Sequence, residues 1–215
     1  PFFFGEDYTK SLPLVALQYH DVEIRIKCRD GFTPGSTPKV WGNYVYLDTD
    51  ERKFFTDNEH ELLFTQTQYQ LATNTDSEID LTFFNHPVKS IHLVSGKATG
   101  NDWDSEYTFS SSTLYINGTP LFEDTSPVYH HTVVPEMHSS DLPDDILEDL
   151  PTFTWPFCLG LSKSNPTGTL NFSRIDNAKL SISGPTGGNA LHRVYAVNYN
   201  ILRVKQGMGG VAFGN

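Results

Sequence analysis

Ala178-Lys179-Leu180-Ser181-Ile182-Ser183 alternates apolar and polar residues without a break. Successive side chains of a strand point to opposite faces, so this order puts Ala178, Leu180 and Ile182 on one face and leaves the polar groups on the other. The same period of two recurs in both directions along the chain. Phe153-Thr154-Trp155-Pro156-Phe157-Cys158-Leu159-Gly160-Leu161 repeats it with larger side chains, and Pro156 makes that run an edge or bulged strand. Asp21-Val22-Glu23-Ile24-Arg25-Ile26-Lys27-Cys28-Arg29 alternates charged with apolar residues. Further strand candidates are 40–47, 62–71, 78–84, 88–94, 113–116 and 194–204. Asn117-Gly118 supplies two residues tolerant of positive φ between 113–116 and Thr119-Pro120-Leu121-Phe122, which predicts a hairpin. Asn165-Pro166-Thr167-Gly168 and Gly184-Pro185-Thr186-Gly187-Gly188-Asn189 read as loops. Helical signals are few: 50–58, with Phe54 and Phe55 packing inward, and 141–150, with Pro143 near its start. Many short strands with turn chemistry between them predict an all-β sandwich or jelly roll.

Composition agrees. The chain has 215 residues, 13% of them aromatic and 19% charged, which favours sheets over helical bundles. Its 15 Lys and Arg against 26 Asp and Glu give a net charge of -11. That weighs against a sequence-independent grip on nucleic acid and against docking on an anionic membrane. No apolar run is long enough to span a bilayer. Two cysteines, Cys28 and Cys158, are fewer than a disulfide scaffold of this length would carry, which favours a reducing compartment. The first residues, Pro1-Phe2-Phe3-Phe4, carry neither an initiator Met nor the pattern of a signal peptide, so the sequence reads as a fragment or processed product.

Residues that could carry chemistry have plainer readings. His130, His131 and His138 are the densest histidine cluster, but no HExxH or CxxC accompanies them, and they read as ordinary loop histidines. The acidic run Asp141–Asp149 lacks the residue order of a calcium loop. Gly207-Met208-Gly209-Gly210 and Gly184–Gly188 are not phosphate cradles and read as places of close chain approach. Asn117-Gly118-Thr119 and Asn171-Phe172-Ser173 match the N-glycosylation acceptor pattern at about chance frequency. No nucleophile–base signature is present. The expectation is a non-enzyme with no catalytic residue, no metal and no cofactor.

The strand candidates before residue 48 are too few for a sandwich, and Val22, Ile24 and Ile26 need a facing sheet. If 51–215 makes a complete sandwich by itself, residues 1–50 read as the last strands of another, incomplete one. The charged stretch Asp48-Thr49-Asp50-Glu51-Arg52-Lys53 is the hinge. The expected core of the second roll is Leu63, Phe83, Ile91, Leu93, Trp155, Phe157, Leu180 and Val197.

Pro166-Thr167-Gly168-Thr169-Leu170-Asn171-Phe172-Ser173-Arg174-Ile175-Asp176-Asn177-Ala178 resembles a signature of the double jelly-roll major capsid proteins of nucleocytoplasmic large DNA viruses, those of algal viruses above all. Tyr195–Arg203 with Gly207–Ala212, Leu12–Val22 and Val45–Arg52 resemble further parts of that family in the expected order. The resemblance implies two tandem jelly rolls, homotrimers forming pseudo-hexagonal capsomers of an icosahedral shell, and contacts with neighbouring capsomers and minor capsid proteins. It implies no direct hold on nucleic acid, no membrane insertion, and a virion protein assembled in the host cytoplasm. Arg174, Asp176 and Asn177 are expected to fix a turn by local hydrogen bonds, with a contact between subunits as the alternative. Two rival functions share the architecture. A carbohydrate-binding jelly roll would cluster exposed aromatics, whereas Trp41, Trp103 and Trp155 are scattered; a cupin-type enzyme would bind a metal.

Overall fold

The computed structural model describes residues 2–26, 35, 39–73, 77–97, 108–139, 152–185 and 190–214. Cys28, Trp103, the acidic run 141–149 and Gly187-Gly188 lie outside the described residues. Among those described, the strands are β1 (His60–Thr73), β2 (Glu78–Asp80), β3 (Pro87–Lys97), β4 (Ser111–Ile116), β5 (Thr119–Thr125), β6 (Thr152–Pro156), β7 (Leu170–Asn171), β8 (Ala178–Ser183), β9 (Ala190–Lys205) and β10 (Met208–Val211). One sheet has the order β1-β9-β3-β6, with β7 on β3 and β10 on β9; the other has the order β2-β8-β4-β5. Setting aside β7 and β10, successive strands alternate or turn back between sheets as in an eight-stranded jelly roll.

The chain divides into two compact units, 1–62 with 201–212, and 63–200 with 213–215. The second unit holds the core. Across its larger sheet Ile91 sits opposite Trp155 and Ala196, and Leu93 opposite Phe153 and Val194. In the smaller sheet Leu180 lies between Ile79 and Leu114. All of these side chains are buried in one cluster with Ile182, Phe109 and Phe172. The hairpin forms at Asn117-Gly118, both at positive φ, with Ile116 opposite Thr119. Strand β6 stops at Pro156 and is an edge, as the proline requires.

Four expected core residues, Ile91, Leu93, Trp155 and Leu180, are buried, and Phe157 packs against the cluster from its margin. Three differ. Val197 is half-buried, because β9 turns its alternate phase inward, with Val194 opposite Leu93, Ala196 opposite Ile91, and Asn198 buried beyond them. Phe83 is 72% exposed. Strand β2 ends at Asp80, whose carboxylate accepts from the Thr82 N–H and hydroxyl, and the turn sends Leu81 and Phe84 inward with Phe83 out. Leu63 is 42% exposed, because the opposite phase of β1, ending in buried Ala72, faces in. That phase carries Gln66 and Gln68, whose side-chain amides pair with the buried Asn200 and Asn198. A purely apolar pattern does not reveal an inward strand built on amides.

In the first unit, the expected strands at 2–4, 15–28 and 40–47 are not strands among the described residues. Phe3–Gly5, Tyr8–Lys10 and Leu14–Ala16 are short 3-10 turns, and Val22, Ile24 and Ile26 are exposed. Alternation makes a strand only where a neighbour pairs with its backbone. Helix α1 (Thr49–Asp57) forms as expected, with a capping box from Asp48 and Glu51. It buries no residue; Phe54 is exposed, and Phe55 stacks on His60 at 5.0 Å. The β9–β10 turn at Gln206-Gly207, again at positive φ, brings the chain against Tyr19, whose N–H donates to the Gly207 carbonyl at 2.9 Å. A Cβ on Gly207 would lie 2.5 Å from the Tyr19 ring, which is the close approach expected of this glycine run.

Two substitutions separate core from surface. Leu180→Ala should destabilise the protein by roughly 2–5 kcal/mol through the cavity it leaves. Phe83→Ala should stay within about 0.5 kcal/mol of wild type in the same urea titration.

Candidate functional site

The segment 166–178 is held by backbone bonds to distant residues. Gly168 lies at φ 134°, where a Cβ would meet the Phe157 carbonyl oxygen at 2.7 Å, so only glycine fits. Thr167 ties down the preceding loop: its carbonyl accepts from the Leu159 N–H at 3.3 Å and its hydroxyl from the Gly160 N–H at 3.1 Å. Leu170 and Asn171 pair with β3. The Asn171 side chain accepts from the Ser173 N–H, and the Ser173 hydroxyl accepts from the N–H of His86 at 2.8 Å. His86 in turn accepts from the Phe172 N–H at 3.0 Å. Phe172 is buried edge-on to Phe84, with ring centroids 6.4 Å apart.

The clamp on the far side is Asn117. Its Oδ1 accepts from the backbone N–H groups of Asp176 and Asn177, both at 3.1 Å, and its own N–H donates to the Asn177 carbonyl at 2.7 Å. The hairpin tip thus fixes the turn. The backbone of 176–177 is held by a residue some sixty positions away, while the side chains of Arg174, Asp176 and Asn177 are exposed. Sequence reasoning assigned the turn to local bonds; Asn-Gly marked the hairpin but not its second task. Both acceptor-pattern asparagines, Asn117 and Asn171, spend their side-chain oxygens on these turns.

The histidines are structural. His130 and His131 lie in a π-helical turn, Tyr129–Val133, that runs into the short helix α2 (Val134–His138). The His130 Nδ1–H donates to the Thr154 carbonyl at 3.0 Å, which leaves Nε2 bare to accept the Thr125 hydroxyl at 2.6 Å. One ring therefore ties β6, at the edge of the larger sheet, to the end of β5, at the edge of the smaller. His131 donates from Nδ1 to the Thr152 carbonyl at 2.9 Å. Two consecutive histidines thus occupy two carbonyls of an edge strand that would otherwise be open to pairing. His130 also packs on Trp155 with centroids 4.5 Å apart, and burial pushes its pKa down from 6.5 to about 4. His92, bonded to Ser90 and Thr154, is pushed down to about 4 by burial and, secondarily, by the charge of Lys89. His138 joins no ligand set; among the described residues no group of three or more His, Cys, Asp or Glu is placed to hold a metal.

Lys89 is buried, and its ammonium donates to the Lys163 carbonyl at 2.7 Å and lies 5.9 Å from the centre of the Tyr199 ring. Cys158 is buried as a free thiol. Trp155 sits in the core, whereas Trp41, Tyr44 and Tyr46 are exposed in the first unit.

A family model described as "Large eukaryotic DNA virus major capsid protein" matches residues 51–210, and one described as "Major capsid protein N-terminus" matches residues 1–48. The major capsid protein of Pyramimonas orientalis virus is 37% identical, aligning with 100% of this chain and 60% of its own length. That of Paramecium bursaria Chlorella virus 1 is 27% identical over 100% of this chain and 65% of its own length. The chain thus spans under two thirds of these relatives. Among solved structures, the crystal structure of the Chlorella virus protein Vp54 superimposes with a TM-score of 0.74, at 24% identity, over 100% of this chain and 69% of that one. The same virus's capsid model gives 0.64 at 25% identity, over 80% and 56%. No comparison supports a carbohydrate-binding reading.

The buried histidines set an acid limit. With folded pKa values of about 4 against 6.5 when exposed, the unfolded chain takes up protons that the folded chain refuses. Their contribution is complete above about pH 6.5 and is lost as the pH falls towards 4, at roughly 1.4 kcal/mol per pH unit for each ring. Urea unfolding between about pH 7 and 5 should show His130→Gln less stable at neutral pH but less steeply destabilised by acid. An unchanged slope would contradict the assignment.

Proposed function

This chain belongs to the major capsid protein family of large eukaryotic DNA viruses, and on that premise we propose that it is a structural shell protein that assembles with other copies of itself into an icosahedral capsid. The observation that carries the reading is the match of the capsid family over 51–210, the stretch that contains the whole strand order of the jelly roll. The polar groups inside that roll support the same reading. His130, His131, Gln68 and Asn117 are each engaged in joining strands or fixing turns, so the chemistry they carry serves rigidity rather than catalysis.

The finer reading is a homotrimer forming a pseudo-hexagonal capsomer, with neighbouring capsomers and minor capsid proteins as partners, in virions assembled in the host cytoplasm. Residues 1–50 are the end of a first roll and 51–215 a second roll, a division supported by the separate family matches to 1–48 and 51–210. The protein works without a cofactor, a metal or a catalytic residue, and neither grips the genome nor enters a membrane. The acid excess accords with a wall that leaves genome binding to other components.

Sedimentation of the full-length protein tests this. A trimer that persists on dilution is expected, since obligate interfaces commonly bury on the order of 2,000 Å² or more. A monomer at all concentrations would contradict the reading.

A further inference from the structure

We propose that the end of the jelly roll bearing Phe83 and Arg174 is a contact surface for a second copy of this chain, whose net charge of -11 favours the arginine. The inference rests on the reading of the protein as a self-assembling shell subunit and names the surface that does it.

Two turns meet at this end, and both are held rigid from behind. The 80–85 turn is fixed by the Asp80 carboxylate and by Gln68, whose amide donates to the Asn85 carbonyl at 2.8 Å and accepts from the Asn85 N–H at 3.1 Å. The 172–177 turn is fixed by Ser173 on His86 and by Asn117 on the N–H groups of Asp176 and Asn177. Phe84, next to Phe83 in sequence, and Phe172, two residues before Arg174, pack together in the core. Four side chains thus make six hydrogen bonds that fix backbone position, while among the described residues none is made to the Phe83 ring or the Arg174 guanidinium. Phe83 borders an open groove of about 360 Å³ along Gln66–Gln70 of β1.

An aromatic ring and an arginine on a pre-ordered backbone are the residue types that dominate binding energy at interfaces, because little entropy remains to be lost when they dock. Among the described residues Arg174 makes no ion pair, as Arg52 and Arg193 also make none, whereas Lys179, Arg203 and Lys205 each have a carboxylate partner. In a chain of net charge -11, a cation left unpaired on a rigid turn complements the surface of another copy.

Sedimentation over a concentration series on the full-length protein, with melting curves alongside, tests the surface. Arg174→Glu and Phe83→Ser should each weaken self-association at least about tenfold, with the melting temperature of the dissociated subunit unchanged. Arg174→Gln serves if the charge reversal does not fold, and Arg193→Glu, the same charge change on β9, should leave association intact. Wild type that never associates overturns the assembly reading itself. Wild type that associates, with Arg174 and Phe83 variants equal to it, overturns this surface alone. Equal weakening by Arg193→Glu reduces the effect to general charge repulsion, and a lowered melting temperature of the dissociated Arg174→Gln subunit returns the residue to a purely structural role; either result overturns the proposal.

Discussion

Burial of one face of each sheet against the other is the constraint on which the roll depends. Trp155, Ile91 and Ala196 line up across three strands of one sheet, and Ile79, Leu180 and Leu114 across three strands of the other. Each large side chain removed from water contributes roughly 1.5–3 kcal/mol, and no single contact is strong. The arrangement holds because a one-residue slip in any of these strands would turn its whole apolar set outward. Register is therefore specified by the core, and turns such as Asn117-Gly118 have only to agree with it.

A two-sheet sandwich leaves edges, and the polar residues inside this one deal with them. The edge strand β6 hands two carbonyls to His130 and His131, and the ring of His130 reaches across to Thr125 at the end of β5. Backbone that could otherwise recruit another chain is occupied within the molecule. At β6 this suppresses strand pairing with another chain. The cost is a pair of buried imidazoles, His92 and His130, that must stay neutral, which ties the roll's stability to pH.

The legible part of the fold was the part with a period. Ala178–Ser183 has the expected phase, the Asn117-Gly118 hairpin is where its backbone preference put it, and Pro156 ends an edge strand. What escaped was set by distant partners. Strand β1 faces inward through glutamines because Asn198 and Asn200 lie opposite, and nothing local announces that pairing. Val197 gives way to Ala196 because Ile91 and Leu93 of the neighbouring strand fix which phase of β9 faces in. Phe83 looked like core because its run is apolar, yet an Asp80 turn changed the phase. At the site, the motif 166–178 was recognisable, but its clamp by Asn117 joins residues that only the folded chain brings together.

Cryo-electron microscopy of the particles formed by the full-length protein tests the central claim most directly. The account predicts a repeating shell lattice in which this jelly roll, with its β1-β9-β3-β6 and β2-β8-β4-β5 sheets, is traceable in every subunit. Particles whose shell density fits another fold, with this chain absent from the lattice, would contradict it.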